Sequence, residues 1–213
     1  MEKDLVVLVA DKNIEFTIRG ILTRYKALGM RSISEDIFVH PERDSGCFAR
    51  GEEFLRPFSK RYAHALVMLD RDGSGRDSTG REVLEGDLER RLAQSGWEGR
   101  AVAVIIQPEL EAWIWGDSPH IDDVLGWRGR SPGLRTWLAS AGFVKSSGVK
   151  PDDPKKALGA ALRLASKPRS SALFSHLAQK VSLTRCTDPA FLKLRSTLHG
   201  MVSVLRHAGR TDL

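Results

Sequence analysis

Residues Ala65-Leu66-Val67-Met68-Leu69-Asp70-Arg71-Asp72-Gly73-Ser74-Gly75 join an apolar run to two aspartates and a glycine-rich turn. A short apolar run that ends in turn residues is typical of a buried β-strand. Asp70 and Asp72 would therefore follow the carboxyl end of this strand, where open α/β sheets bind their ligands. Two neighbouring carboxylates repel each other unless a cation, a basic partner or a proton intervenes. A hard divalent cation satisfies both, so we predict that they bind metal.

This acidic turn has two other interpretations. It shares its first residues with an EF-hand calcium loop, but the twelfth position of that loop needs an acid and is Arg81 here. A strand rather than a helix also precedes it, which disfavours calcium. In the second interpretation the aspartates are structural, because they cap the next helix or hydrogen-bond the turn.

Strands and helices alternate along the first half of the chain. The predicted strands are residues 4–10, 33–40, 64–69 and 100–107, and the predicted helices between them are residues 14–28, 48–62, with a break at Pro57, and 81–94. Alternation of this kind predicts an α/β fold. Continuous apolar strands predict a mostly parallel, Rossmann-like four-stranded sheet with flanking helices. Right-handed crossovers would then bring the carboxyl ends of all the strands to one edge.

Further charged residues follow the first and fourth strands. Asp11 and Glu15 lie one helical turn apart, so either can supply a third metal oxygen, or both can simply favour the start of a helix. Lys12, between them, can neutralise a phosphate or pair with these acids. Glu109 and Glu111 follow the fourth strand, and their spacing puts only one of them on the rim. We predict that Glu109 or Glu111 completes the metal site or acts as a base.

Polar and aromatic residues near the predicted rim have open roles. His40, Asp44 and Cys47 form a loose cluster after the second strand, around a predicted turn at residues 41–46. Metal ligation is one interpretation of the cluster, and a structural histidine is the other. We expect Trp113 and Trp115 to be packing residues rather than base-stacking platforms.

The C-terminal region is basic and helical. Residues 145–213 contain 13 Lys and Arg against 4 Asp and Glu, a net charge of +9, whereas residues 1–144 have a net charge of −3. We predict an α/β domain at 1–144 and a basic helical region at 145–213, with the boundary in the polar loop 145–153 and helices at 154–166, 170–180 and 189–207. Excess positive charge predicts an anionic partner, although it also suits a solvated surface. The candidate nucleic-acid-binding residues are Lys155, Lys156, Arg163, Lys167 and Arg169.

Several protein classes are disfavoured by what the sequence lacks. Two distant cysteines give no disulfide framework or zinc-ligand spacing. The charged N-terminus and the absence of a long apolar stretch predict neither a secretory signal nor a membrane span, so we expect a cytoplasmic protein. No GxGxxG, P-loop, nucleophile elbow or HExxH motif occurs, which disfavours dehydrogenases, NTPases, serine hydrolases and zinc peptidases.

The assembled pattern resembles the TOPRIM fold of topoisomerases, primases and several bacterial nucleases. The pair in Asp70-Arg71-Asp72 matches the Asp-x-Asp motif of that family, and the run 108–113 is similar to the segment that follows the last strand in small TOPRIM-like proteins of bacterial antiviral loci. The stretches 9–16, 39–42, 54–58 and 125–127 are similar to small proteins of methylation-associated defence systems. The resemblance covers roughly residues 5–130 and implies a Mg2+ or Mn2+ site in a short parallel sheet.

Two functional hypotheses follow from this resemblance. The first is a Mg2+-dependent nuclease or phosphodiesterase of an anti-phage system, with metal held by Asp70 and Asp72 and by Asp11 or Glu15. The second is a non-catalytic sensor or adaptor that binds a larger defence protein such as an ATPase. The second arises because many TOPRIM nucleases carry Glu-Gly where this chain has Ala10-Asp11. The oligomeric state is open in both.

Overall fold

The structure is a computed structural model that describes residues 2–145 and 150–208, with side chains as far as Met201. The strands are β1 (Lys3–Val9), β2 (Glu35–Val39), β3 (Tyr62–Asp70) and β4 (Ala101–Ile106). The helices are α1 (Lys12–Leu22), α2 (Arg43–Leu55), α3 (Arg81–Leu92), α4 (His120–Leu125), α5 (Leu134–Ser140), α6 (Pro154–Leu164), α7 (Ser171–Lys180) and α8 (Pro189–Ala208). No helix in the described part of the chain is long and apolar enough to cross a membrane.

The four strands form one parallel sheet in the order β2-β1-β3-β4, which confirms the predicted α/β sheet with flanking helices. The central strands β1 and β3 are buried along almost their whole length because both of their faces are covered. The chain runs from β1 outward to β2 and then returns to β3 on the other side of β1. The carboxyl ends of β1 and β3 therefore flank the topological switch point, where open α/β sheets form their binding crevice.

Helix α2 starts earlier than the sequence predicts. The residues predicted as a turn at 41–46 include its first turn, and the helix ends at Leu55 rather than at residue 62. The early start depends on Gly46, because a Cβ there would clash with the imidazole ring of His40. A short 3-10 helix at Arg56–Phe58 contains Pro57, so the predicted break there is confirmed.

The C-terminal helices share a core with the sheet. Helix α7 packs along α1, where Gly20 approaches so closely that a Cβ would meet the Cβ of Ala178 at 2.8 Å. Helix α8 packs against β4. Residues on both sides of the predicted boundary therefore belong to one continuous apolar cluster. Within the predicted boundary loop, residues 146–149 lie outside the described part of the chain.

Two buried indole rings join the segment after β4 to the C-terminal region. A 3-10 helix at Leu110–Trp113 replaces the one or two α-helical turns expected there. Trp113 and Trp115 are buried, which confirms their predicted role in packing. The indole N–H of Trp113 donates to Asp188 at 3.0 Å, and that of Trp115 donates to the carbonyl oxygen of Pro154 at 3.1 Å. The Trp115 bond fixes the start of α6, and the Trp113 bond fixes the residue that precedes α8.

The outer edge of β4 is protected by carboxylates of α3. The backbone N–H of Ile105 donates to Glu85 and that of Ala103 donates to Glu89, both at 3.0 Å. Lys193 of α8 donates to both glutamates, at 3.1 and 2.8 Å. The side chains thus satisfy edge N–H groups that would otherwise be open to pairing with another strand.

Candidate functional site

Carboxylates that follow all four strands converge at the carboxyl edge of the sheet. Asp70 ends β3, and the charges of four other acids act on it. We call these five side chains the acidic cluster; its members are Asp11, Asp44, Asp70, Glu109 and Glu111. The cluster lies at the switch point between β1 and β3, which is where open α/β sheets usually bind their ligands.

Asp70 is at the centre of the acidic cluster. One of its carboxylate oxygens accepts a hydrogen bond from the backbone N–H of Leu110 at 2.9 Å. Burial raises the pKa of the Asp70 carboxyl well above its usual range, and the charges of its neighbours, Asp44 first, raise it further. Such a group holds a proton at a pH where an exposed aspartate is ionised, unless a cation replaces that proton.

Asp44 belongs to the acidic cluster, although its sequence position predicted only a loose polar group with His40 and Cys47. Its carboxylate accepts the backbone N–H of Asp70 at 2.8 Å, and burial raises its pKa. The other two members of that group are structural. His40 is buried and accepts the backbone N–H of Glu42 at 3.1 Å, and burial raises the pKa of the Cys47 thiol. Asp44 was missed because the start of α2 was predicted too late. With the helix beginning at Arg43, Asp44 lies just after β2, in the same relation to its strand as Asp11 has to β1.

Two cations from the C-terminal region close the acidic cluster. Lys155 donates to Glu109 twice, from its backbone N–H and from Nζ, both at 3.0 Å. Arg169 donates to Glu111, whose side chain is only 3% exposed. Burial raises the pKa of Glu111, and the charge of Arg169 opposes this shift. A hydrogen bond from Ser171 to Asn13 at 2.9 Å holds the segment that carries Arg169 beside the start of α1.

Three predicted site residues lie apart from the acidic cluster. Asp72 is 49% exposed and pairs with Arg71 at 3.0 Å, because the strand ends at Asp70 and the chain then turns outward. Glu15 pairs with Arg19 at 2.9 Å along α1. Lys12 is exposed at the first position of the same helix. The structure therefore brings Asp70 together with Asp11 but not with Asp72, Glu15 or Lys12.

The predicted nucleic-acid-binding residues separate into three groups. Lys155 and Arg169 contact the acidic cluster, as described above. Lys167 donates to the carbonyl oxygen of Val124 at 2.7 Å and so ties its segment to α4. Lys156 and Arg163 are exposed on α6.

The donor chemistry of the acidic cluster fits a hard divalent cation, since every member offers carboxylate oxygens. Each carboxylate is already engaged: Asp11 accepts the N–H of Ile14 at 2.9 Å, and the other members have the partners given above. Among residues 2–145 and 150–208, no three Asp, Glu, His or Cys side chains are grouped so that they could hold a metal ion. A metal that binds here would have to draw carboxylates of the acidic cluster away from their present partners.

Comparisons with known proteins give no family or structural relative, because no family model, curated protein or solved structure matches the chain. The resemblance to TOPRIM proteins therefore rests on sequence motifs, and the chemistry has to be argued from the acidic cluster itself.

Proposed function

We propose that the protein is a Mg2+-dependent, TOPRIM-like phosphodiesterase that cleaves nucleic acid, with Mn2+ as an alternative metal. The observation that carries this proposal is the convergence of five carboxylates, one or two from the end of each strand, at the switch point of a parallel sheet. Clustered acids with raised pKa values in such a crevice are more common at functional sites than elsewhere. A parallel sheet with acids at its carboxyl edge also agrees with what the resemblance to TOPRIM proteins implies.

The residues of the acidic cluster would have different roles, which follow from their positions at the strand ends. Asp11, Asp44 and Asp70, which lie at the ends of the two central strands and of β2, would have to leave their backbone N–H partners and move together to hold the metal. When bound, the metal polarises the phosphate and lowers the pKa of a water molecule. Glu109 or Glu111 would accept the proton of the attacking water, since the raised pKa of Glu111 suits a general base.

The biological setting follows from the resemblance alone. Its motifs are shared with small proteins of methylation-associated antiviral loci, so we propose a role in bacterial anti-phage defence in the cytoplasm. Other subunits of such a system, for example an ATPase, would be its protein partners.

Cleavage assays test the enzymatic proposal directly. With Mg2+ or Mn2+ the purified protein should cut at least one of single-stranded DNA, duplex DNA and RNA, and EDTA should abolish the cutting. A Glu53→Gln variant should cut as the wild type does, because it removes an exposed acid of α2 outside the acidic cluster. Absence of cleavage together with absence of Mg2+ binding in isothermal titration would contradict the proposal.

A non-catalytic sensor or adaptor is the second candidate. It is favoured by the hydrogen bonds and ion pairs that engage every member of the acidic cluster within the chain. In this case the cluster would only stabilise the carboxyl edge of the sheet. Mg2+ binding that Asp70→Asn removes would exclude this purely structural role.

A further inference from the structure

We propose that the exposed face of α6 binds the phosphate backbone of a nucleic acid. We call this face the α6 surface; its residues are Lys156, Gly159, Arg163 and Lys167, the last of which follows the helix. The inference rests on the proposed function, because it names the surface that would hold the substrate. Binding at this surface needs neither a metal nor cleavage, so it can be tested apart from the acidic cluster.

The stretch that carries α6 and α7 has no acidic residue to balance its cations. Residues 154–187 contain seven Lys and Arg and no Asp or Glu. Three of the seven pair with acids elsewhere in the chain, namely Lys155, Arg169 and Arg185. Among the side chains that the structure describes, no acid pairs with the other four, which are Lys156, Arg163, Lys167 and Lys180. Such uncompensated positive charge attracts polyanions.

Three residues of the α6 surface form a line along the helix. Lys156 and Arg163 are exposed, and Gly159 is partly exposed between them. Positions three and four apart share one face of a helix, so the three residues follow one another on the same side. At 1.5 Å of rise per residue, the α-carbons of the two cations lie about 10 Å apart. Beyond the helix, Lys167 donates to the carbonyl oxygen of Val124 at 2.7 Å, a neutral partner that leaves its charge in place.

No packing contact in the described part of the chain requires a glycine at position 159. Glycine inside a helix disfavours it relative to alanine. A Cβ there would meet Nη1 of Arg163 at 3.6 Å, which is an ordinary contact distance. The missing side chain leaves a depression between two cations, where the backbone of a ligand can approach the helix closely.

Lys156 lies where the helix dipole disfavours a cation. The first turn of a helix attracts acids, yet α6 begins with Pro154, Lys155 and Lys156. Glu109 pairs with Lys155. Asp153 accepts the backbone N–H of Lys156 at 2.9 Å, so it caps the helix rather than pairing with the ammonium group. A phosphate from outside the chain would supply the missing partner.

A nucleic acid fits the α6 surface better than an anionic membrane does. A helix that lies on a membrane presents an apolar face to the lipid. The apolar residues of α6 are buried in the protein core instead, at Ala157, Leu158, Ala161 and Leu162, and only its last residue, Leu164, is half exposed. Contacts between cations and phosphates carry no sequence information, so we expect binding to be independent of sequence.

The test measures the affinity of a fluorescent single-stranded oligonucleotide by anisotropy, in EDTA and at several salt concentrations. Lys156→Gln combined with Arg163→Gln should lower the affinity at least about tenfold, because two charged contacts are lost. The slope of log affinity against log salt should fall by about 1.4, or about 0.7 for each phosphate contact. The matched control is Lys26→Gln combined with Lys60→Gln, two exposed cations in the connections that lead into β2 and β3. It should change the affinity less than about twofold.

A substitution at Gly159 separates the depression from charge alone. Gly159→Leu should raise the melting temperature, because leucine is the better helix former, and should lower the affinity about tenfold by blocking one charged contact. Gly86→Leu is its control, since Gly86 is an exposed glycine of α3 with open space around an added Cβ. It should raise the melting temperature and leave the affinity unchanged.

Wild-type affinity in the Lys156→Gln and Arg163→Gln double variant overturns the inference. So does wild-type affinity in Gly159→Leu, because the nucleic acid would then not lie between the two cations. A wild type that binds phosphatidylcholine–phosphatidylserine vesicles but no oligonucleotide also overturns it. Metal-dependent cleavage by the wild type would leave the proposed function intact in each case. Oligonucleotide binding that the variants weaken, without cleavage in Mg2+ or Mn2+, would support the inference and contradict the proposed function.

Discussion

Replacing Asp70 with asparagine should abolish metal-dependent cleavage and, at the same time, stabilise the protein at neutral pH. The loss of cleavage should exceed about 100-fold, because even the outer partners of metal ligands cost about 10- to 100-fold. The fold should survive, since the amide oxygen can still accept the N–H of Leu110. Cleavage rates and thermal unfolding of the same preparation check both results.

The gain in stability follows from the raised pKa of Asp70. Below the ordinary pKa of an aspartate, Asp70 is protonated in both the folded and the unfolded chain, so its titration does not lower the free energy of unfolding. As the pH rises towards the raised pKa, the unfolded chain loses its proton first, so the free energy of unfolding falls. Asp70→Asn removes that loss and should gain about 0.5–2 kcal/mol at pH 7, but nothing at pH 3.

Glu53→Gln again provides the control, because it removes an exposed acid outside the acidic cluster. Its stability should follow that of the wild type at both pH values. An Asp70→Asn variant that is less stable than wild type at pH 7 would show that the carboxylate stabilises the edge of the sheet. Retained cleavage in that variant would exclude Asp70 as a metal ligand.

Glu85→Ala should cause a large loss of stability. Glu85 is buried, accepts the N–H of Ile105, and pairs with Arg81 at 2.8 Å and with Lys193 at 3.1 Å. Alanine would leave a strand N–H and two cations without this partner. Removal of one member of a buried ion pair costs about 3–5 kcal/mol.

Denaturant unfolding measures this loss against a control on the same helix. Glu82 lies three residues earlier in α3, its side chain is 85% exposed, and it pairs only at the surface with Arg81. Glu82→Ala should therefore change the free energy of unfolding by less than about 0.5 kcal/mol. Equal effects of the two substitutions would contradict the assigned role of Glu85 at the edge of β4.

The sheet and most of the acidic cluster are predictable from sequence for a physical reason. The central strands are continuous apolar runs, and an acid directly after such a run has to lie at the ligand-binding edge. Asp11 and Asp70 follow this rule. The prediction that only one of Glu109 and Glu111 reaches the edge is wrong, because Glu109 is extended ahead of a 3-10 helix and both carboxylates lie in the cluster. Asp72 shares the motif of Asp70 but not its position, because the chain leaves the sheet between them.

The cations that contact the acidic cluster could not be predicted from sequence spacing, because they come from distant parts of the chain. Lys155 and Arg169 lie 46 and 58 positions from the glutamates that they contact. Only the packing of α6 and α7 on the sheet domain decides which basic residues turn inward. In the sequence, Glu85 and Glu89 look like surface acids of a charged helix. Their role is hidden because they accept N–H groups of β4, a strand that comes later in the chain.

Crystals soaked in Mn2+ give the most direct test of a metal site at the switch point, because anomalous scattering locates the ion among named side chains. The account predicts a peak within ligating distance of Asp70 and at least one other member of the acidic cluster. An acidic cluster without a peak at saturating Mn2+ would contradict it.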